Sequence, residues 1–123
     1  MYNQSIMDMK EKIFELLENE CYDICEAYEP ELVCTLVKNI VGRIERRRNE
    51  IGFGPVVATE FGKYIFKVNN SLNGFVSCSN TDTGHTGISN TLYYPYYEDD
   101  DNGGLKNLVE MINESWHLCE NNY

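Results

Sequence analysis

The sequence predicts an α+β domain: two N-terminal helices, a four-stranded antiparallel meander, and one C-terminal helix packed on the sheet. Three observations carry that expectation. Apolar residues recur at three- and four-residue steps near both ends of the chain. Between them, short runs of Val, Ile, Phe and Tyr alternate with clusters of Gly, Asn and Ser. The two kinds of segment are grouped rather than interleaved, which argues against a βαβ repeat. With 123 residues, no internal repeat and no linker-like stretch, one domain over 1–123 is expected.

The first helix is expected over 5–28. Ile6, Met9, Ile13, Leu16, Leu17, Ile24 and Tyr28 form its apolar stripe, with Cys21 in the gap, and Glu11, Glu15, Glu18 and Asp23 lie opposite. Ser5 with Asp8 resembles a capping box, although Asp is shorter than the usual Glu. Glu29-Pro30 breaks the pattern, and Pro30 suits the first turn of a second helix. Leu32, Val33, Leu36, Val37, Ile40, Val41 and Ile44 give that helix a broad apolar stripe to about Asn49. Arg43, Arg46, Arg47 and Arg48 complement its last carbonyls, and Gly52, Gly54 and Pro55 end it. These arginines read as dipole complements with ion pairs to the acidic first helix. Phosphate contact and a homodimer surface are the alternatives.

Strands are expected over Pro55–Phe61, Lys63–Asn69 and Gly74–Ser79. Tyr64, Phe66 and Val68 alternate onto one face, and Gly62 and Asn73-Gly74 mark the turns. The Ser, Thr, Asn, Asp and Gly of 79–91 read as a loop. A fourth strand is expected over about 91–97, where Leu92 and four tyrosines surround Pro95, a residue suited to an edge. Glu98-Asp99-Asp100-Asp101 reads as a solvated acidic turn. The last helix then runs from about Gly104 to Glu120 with Leu105, Leu108, Val109, Ile112 and Trp116 inward.

The net charge is -10, and its placement is uneven. Residues 1–29 carry eight acids against two Lys, and residues 98–123 carry seven against one. Residues 30–50 carry five bases against three acids, and 51–97 balance. Such a charge opposes direct contact with nucleic acid and anionic membranes, and it favours and speeds encounter with a basic protein. No run approaches the ~20 apolar residues of a membrane span. Asp8, Lys10, Glu11 and Lys12 interrupt any export signal, so the five Cys read as reduced thiols in a cytoplasm.

Four sets of residues invite chemistry. Asp82-Thr83-Gly84 spells the triplet of aspartic proteases, but polar Ser79, Asn80 and Thr81 precede it, so it reads as an Asx-type turn. Cys78, Asp82 and His85 could form a nucleophilic constellation, yet no spacing brings them together. Cys21 and Cys25 lie one helical turn apart, but His117 and Cys119 cannot complete a zinc site from one helix face. No metal and no cofactor are therefore expected. The fourth set is Tyr93, Tyr94, Tyr96 and Tyr97, running into Glu98, Asp99, Asp100 and Asp101. Tyrosines anchor interfaces and the carboxylates suit Arg and Lys, so this is the expected partner-binding site.

The expected function is a non-enzymatic acidic inhibitor of a basic protein, monomeric or homodimeric. Nucleic-acid enzymes need basic grooves, so an immunity protein against a nuclease toxin is the leading expectation. That link rests on likeness of composition alone. A phage-encoded inhibitor of a host nucleic-acid enzyme, a small enzyme using Asp82 and His85, and an assembly subunit are the alternatives.

Overall fold

A computed structural model describes residues 8–20, 22–52, 54–97 and 103–121. In chain order the elements are α1 (Met9–Asn19), α2 (Ile24–Ala27), α3 (Pro30–Ile51), β1 (Val56–Phe61), β2 (Tyr64–Asn69), β3 (Phe75–Asn80), β4 (Thr86–Ile88) and α4 (Gly103–Glu120). The architecture is α+β, with helices on one face of a four-stranded antiparallel sheet ordered β1-β2-β3-β4.

The capping box of α1 sits three residues later than expected. Asp8 Oδ1 accepts the Glu11 N–H at 2.8 Å, and Glu11 Oε1 accepts the Asp8 N–H at 3.4 Å. Glu11 has the extra methylene that reaches back to the cap, which Asp8 lacks as a partner for Ser5. Ser5 lies outside the described residues.

The single helix expected over 5–28 is two, with Glu20 extended between them. A straight helix carrying Leu17 on its inner stripe would turn Tyr22 well away from it. The break lets Leu17, Tyr22 and Ile24 all bury. Asn113 of α4 secures the restart, its Oδ1 accepting the Ile24 N–H at 2.9 Å. α3 follows its predicted stripe, with Val33, Leu36, Val37, Ile40, Val41 and Ile44 buried and Leu32 exposed at the first turn. It ends where expected, at Gly52 with φ +97°, a conformation that favours glycine.

The pleat sorts the sheet cleanly. Val57, Thr59 and Phe61 of β1 align with Val68, Phe66 and Tyr64 of β2, and these with Val76, Cys78 and Asn80 of β3. This is the inner face; α3 covers it at β1, and α4 covers it at β3 and β4. Tyr64, Phe66 and Val68 are buried as their alternation predicted.

The fourth strand is not where the tyrosines suggested. β4 is Thr86–Ile88, inside the segment expected to be a loop, and pairs with Ser77–Ser79. Gly87 stands opposite Cys78 and lies so close to α4 that a Cβ there would sit 2.3 Å from the Cys119 N and the Ser115 O. Residues 92–97 are not a strand. Among the described residues, no helix is long and apolar enough to cross a membrane.

Candidate functional site

Residues 89–97 form a strap across the molecule. After one backbone bond to β3 at Ser89, its backbone bonds to side chains rather than to another strand. Ser89 exchanges two bonds with Val76, through its N–H at 2.9 Å and its Oγ at 3.3 Å. Glu114 accepts from the N–H groups of Asn90 at 2.7 Å and Thr91 at 3.2 Å, and from the Thr91 hydroxyl at 3.0 Å. Asn107 accepts the Tyr94 N–H at 2.8 Å and donates to the Leu92 carbonyl at 3.0 Å. Asn70 holds the last part: its Oδ1 accepts the Tyr93 hydroxyl and the Tyr96 N–H, and its Nδ2 donates to the Tyr96 carbonyl.

This anchoring divides the four tyrosines. Tyr93 and Tyr96 are each 2% exposed, whereas Tyr94 is 57% and Tyr97 50% exposed. Burial pushes the Tyr93 phenol well above its ordinary value, with the Arg48 charge opposing. The Tyr96 hydroxyl reaches Glu45 at 3.5 Å. Arg48 donates to the Tyr96 carbonyl and lies over the Tyr97 ring, 4.6 Å from its centroid. Beside Tyr97 is a hollow of about 380 Å³ lined by Gly54, Asn70, Ser71, Leu72 and Asn73. Leu72 in its wall, and Leu92 farther back on the strap, are exposed apolar side chains. The expected acidic part of the site, Glu98, Asp99, Asp100 and Asp101, lies outside the described residues.

No protein-family model matches this sequence, and no curated protein or solved structure is similar to it. The residues alone therefore carry the functional reading.

Asn70, Asn107 and Glu114 are the members of this surface that the sequence did not single out. Asn70 reads as one more turn residue, and nothing local marks it as the partner of Tyr96, 26 positions on. Arg48 lies in the last turn of α3, as expected of a helix-end cation, and its guanidinium also holds the strap. The expected ion pairs from α1 to the arginines are not made among the described residues. Arg47 pairs with Glu50 at 2.8 Å, while Glu20, just past the end of α1, reaches Lys106 at 3.9 Å. The reason is the crossing: Lys10 of α1 meets Cys34 in the first turns of α3, and the arginines sit in its last.

The other candidates fall apart as sites. Asn80 Oδ1 accepts the N–H groups of Asp82 at 2.9 Å and Thr83 at 3.2 Å, so the Asp-Thr-Gly triplet is a side-chain-closed turn, with Gly84 at φ +79°. Asp82 and His85 are exposed on it, whereas Cys78 is fully buried on the inner face. Burial, then the neighbouring Cys119, pushes the Cys78 thiol far up, the opposite of nucleophile activation. His117 bonds Asp23 at 2.7 Å on the surface while Cys119 is buried, and Cys21 lies outside the described residues. Among the described residues, no three His, Cys, Asp or Glu side chains converge as a metal site.

Charge is divided unevenly along the elements. Residues 30–80, from α3 through β3, carry seven Lys and Arg against four Glu. The remaining residues carry three Lys against sixteen acids. The segment from α3 through β3 is thus net basic, and the segments before and after it are strongly acidic.

Proposed function

We propose that this protein is a non-enzymatic inhibitor that grips a basic protein through the tyrosine strap and the acidic run following it. The observation that carries the reading is the alternation of exposure along the strap. Two buried rings and three anchoring side chains hold Tyr94 and Tyr97 outward in fixed positions. Rigid aromatic side chains lose little entropy when they anchor a partner, and a polar acidic neighbourhood supplies specificity and speed of encounter. Tyr97 already holds one guanidinium, that of Arg48. A partner arginine at the adjacent hollow would meet the same chemistry.

The partner class follows from the charge. A nucleic-acid enzyme must present a basic groove to phosphates, and carboxylates can occupy that groove instead. The reading is therefore an immunity protein against a nuclease toxin. An inhibitor carried by a phage against a host nucleic-acid enzyme would use the same surface.

The test is capture of partners from extract of the source cell at low and at high salt, followed by assay of the captured enzyme. The expected result is a basic nuclease whose activity the purified protein abolishes. Association should slow as salt rises. Reversing Asp99, Asp100 and Asp101 to Lys should abolish inhibition, and Tyr97→Ala should speed release at least tenfold. An unaffected nuclease, or full inhibition by the charge-reversed variant, would remove this site from consideration.

A further inference from the structure

The free edge of the sheet lies beside the arginines that the strap does not use. β1 is an end strand. The Asn70 N–H donates to the Pro55 carbonyl at 2.9 Å, which sets the phase of the β1–β2 ladder. In that phase residues 57, 59 and 61 turn N–H and C=O toward β2, and Val56, Ala58 and Glu60 turn theirs outward. Beyond the ladder, no described residue bonds these outward groups.

A groove follows this edge. Two hollows of about 260 and 430 Å³ meet at Arg43 and Ala58. One wall is the α3 face bearing Asn39, Arg43, Arg46, Arg47 and Glu50, which recur at helical steps. The other is β1, including Thr59, which is 3% exposed and whose hydroxyl finds no partner. Glu50 neutralises Arg47, and among the described residues Arg43 and Arg46 make no ion pair.

We infer that the β1 edge takes an extended acidic segment of a partner protein as an added strand, with alternate carboxylates meeting Arg43 and Arg46. Strand addition supplies main-chain bonds for affinity and reads every second side chain for specificity. The groove is lined by Arg43, Arg46 and Arg47 against Glu50 and Glu60, with Arg47 paired to Glu50, so an acidic segment is the complementary one for Arg43 and Arg46. Glu60 at one end directs the carboxylates to the half near Val56 and Ala58. A second copy pairing β1 to β1 would set two arginine rows against each other, which like charges disfavour. Two cations hold a nucleic acid poorly, because its affinity comes from many phosphate contacts, whereas an added strand also gains main-chain bonds. The tyrosine strap does not line this groove, so the two surfaces stand or fall separately.

The probe is a fluorescein-labelled heptapeptide alternating Glu and Val, read by anisotropy at low salt. Saturable binding is expected. It should weaken at least tenfold in the double variant Arg43→Glu/Arg46→Glu, in Ala58→Pro, and for the peptide with Gln replacing Glu. Ala58→Pro removes an outward N–H alone, and edge strands tolerate proline there. Should that variant unfold, the same heptapeptide N-methylated on the residues facing β1 replaces it, and its binding should be lost. Tyr94→Ala/Tyr97→Ala should bind the peptide as the parent does. The inference is overturned by absence of binding, or by N-methylated peptide binding as tightly as the parent peptide. It is equally overturned by a single-stranded oligonucleotide that displaces the peptide and binds more tightly, or by a dimer in light scattering that Ala58→Pro abolishes.

Discussion

The Asn70 side chain holds both polar groups of the Tyr96 backbone, accepting its N–H at 2.7 Å and donating to its carbonyl at 3.0 Å. One amide thus does for this strap what a neighbouring strand does for a strand. Asn70 is buried, so its loss would leave the Tyr96 N–H and the Tyr93 hydroxyl without a partner in the interior. Each such orphan costs about 1–3 kcal/mol. Asn70→Ala should therefore lower stability by about 3 kcal/mol in urea titration. It should also speed hydrogen exchange of the Tyr96 amide, while the β2 amides keep their protection relative to the new global stability. Equal loss of protection everywhere would mean that Asn70 supports the whole fold rather than the strap.

The tyrosines should separate into two classes on substitution. Tyr94→Ala and Tyr97→Ala change exposed rings, so each should cost less than about 1 kcal/mol, the Tyr97 change including its contact with Arg48. Tyr96→Ala empties a buried site and should cost about 3–5 kcal/mol. Tyr93→Phe keeps the ring and loses only the bond to Asn70, for about 1 kcal/mol. Thermal melts of the four variants decide the matter. A large loss in Tyr94→Ala would place that ring in the core and withdraw it from any partner.

Periodicity made α3, α4 and the first three strands legible, because burial of one face leaves its period in the sequence, whereas the break between α1 and α2 went unread. α3 and β2 are the clear cases. What escaped was built from contacts that leave no period. β4 is a three-residue Thr-Gly-Ile strand whose central residue is of a type depleted in strands. The tyrosine run has strand-like composition, but its hydrogen bonds go to Asn70, Asn107 and Glu114, none of them near it in sequence. A strand would have set Tyr93 and Tyr97 on one face and Tyr94 and Tyr96 on the other; instead Tyr93 and Tyr96 are buried, a three-residue step that these distant side chains impose. The capping box was misplaced because two overlapping signatures, Ser5–Asp8 and Asp8–Glu11, compete, and side-chain reach decides between them.

Gly87 should tolerate no side chain. A Cβ would lie 2.3 Å from both the Cys119 N and the Ser115 O, which are helix backbone and cannot swing aside. Gly87→Ala must push α4 from the sheet or pull β4 from β3. A cost of about 3 kcal/mol or more is expected from such overpacking. The control is Gly42→Ala on α3, where a Cβ meets nothing within 4 Å and helix propensity should make the change neutral or stabilising. Chemical denaturation of both gives the comparison. Equal stability of the two would contradict the close approach of α4 to β4.

Stability should fall at alkaline pH through the buried thiols. Burial is the main cause that raises the Cys78 and Cys119 thiols above their ordinary 9.0, and the nearby Glu120 carboxylate acts in the same direction on both. In the unfolded chain these thiols ionise near pH 9, while in the folded chain they keep their protons. Above that pH the folded state therefore binds more protons than the unfolded state, and raising the pH favours unfolding. The stabilisation is complete below pH ~9 and is lost at up to about 1.4 kcal/mol per pH unit for each thiol. Buried Tyr22, Tyr64 and Tyr93, also raised by burial, add to the slope above pH ~10. Urea midpoints under reducing conditions from pH 8 to 11 should show this decline. Cys78→Ala should be less stable at pH 8 yet lose stability less steeply, by about one proton's worth of slope. A midpoint that stays level across this range would show that the thiols ionise as readily in the folded protein as in the unfolded one.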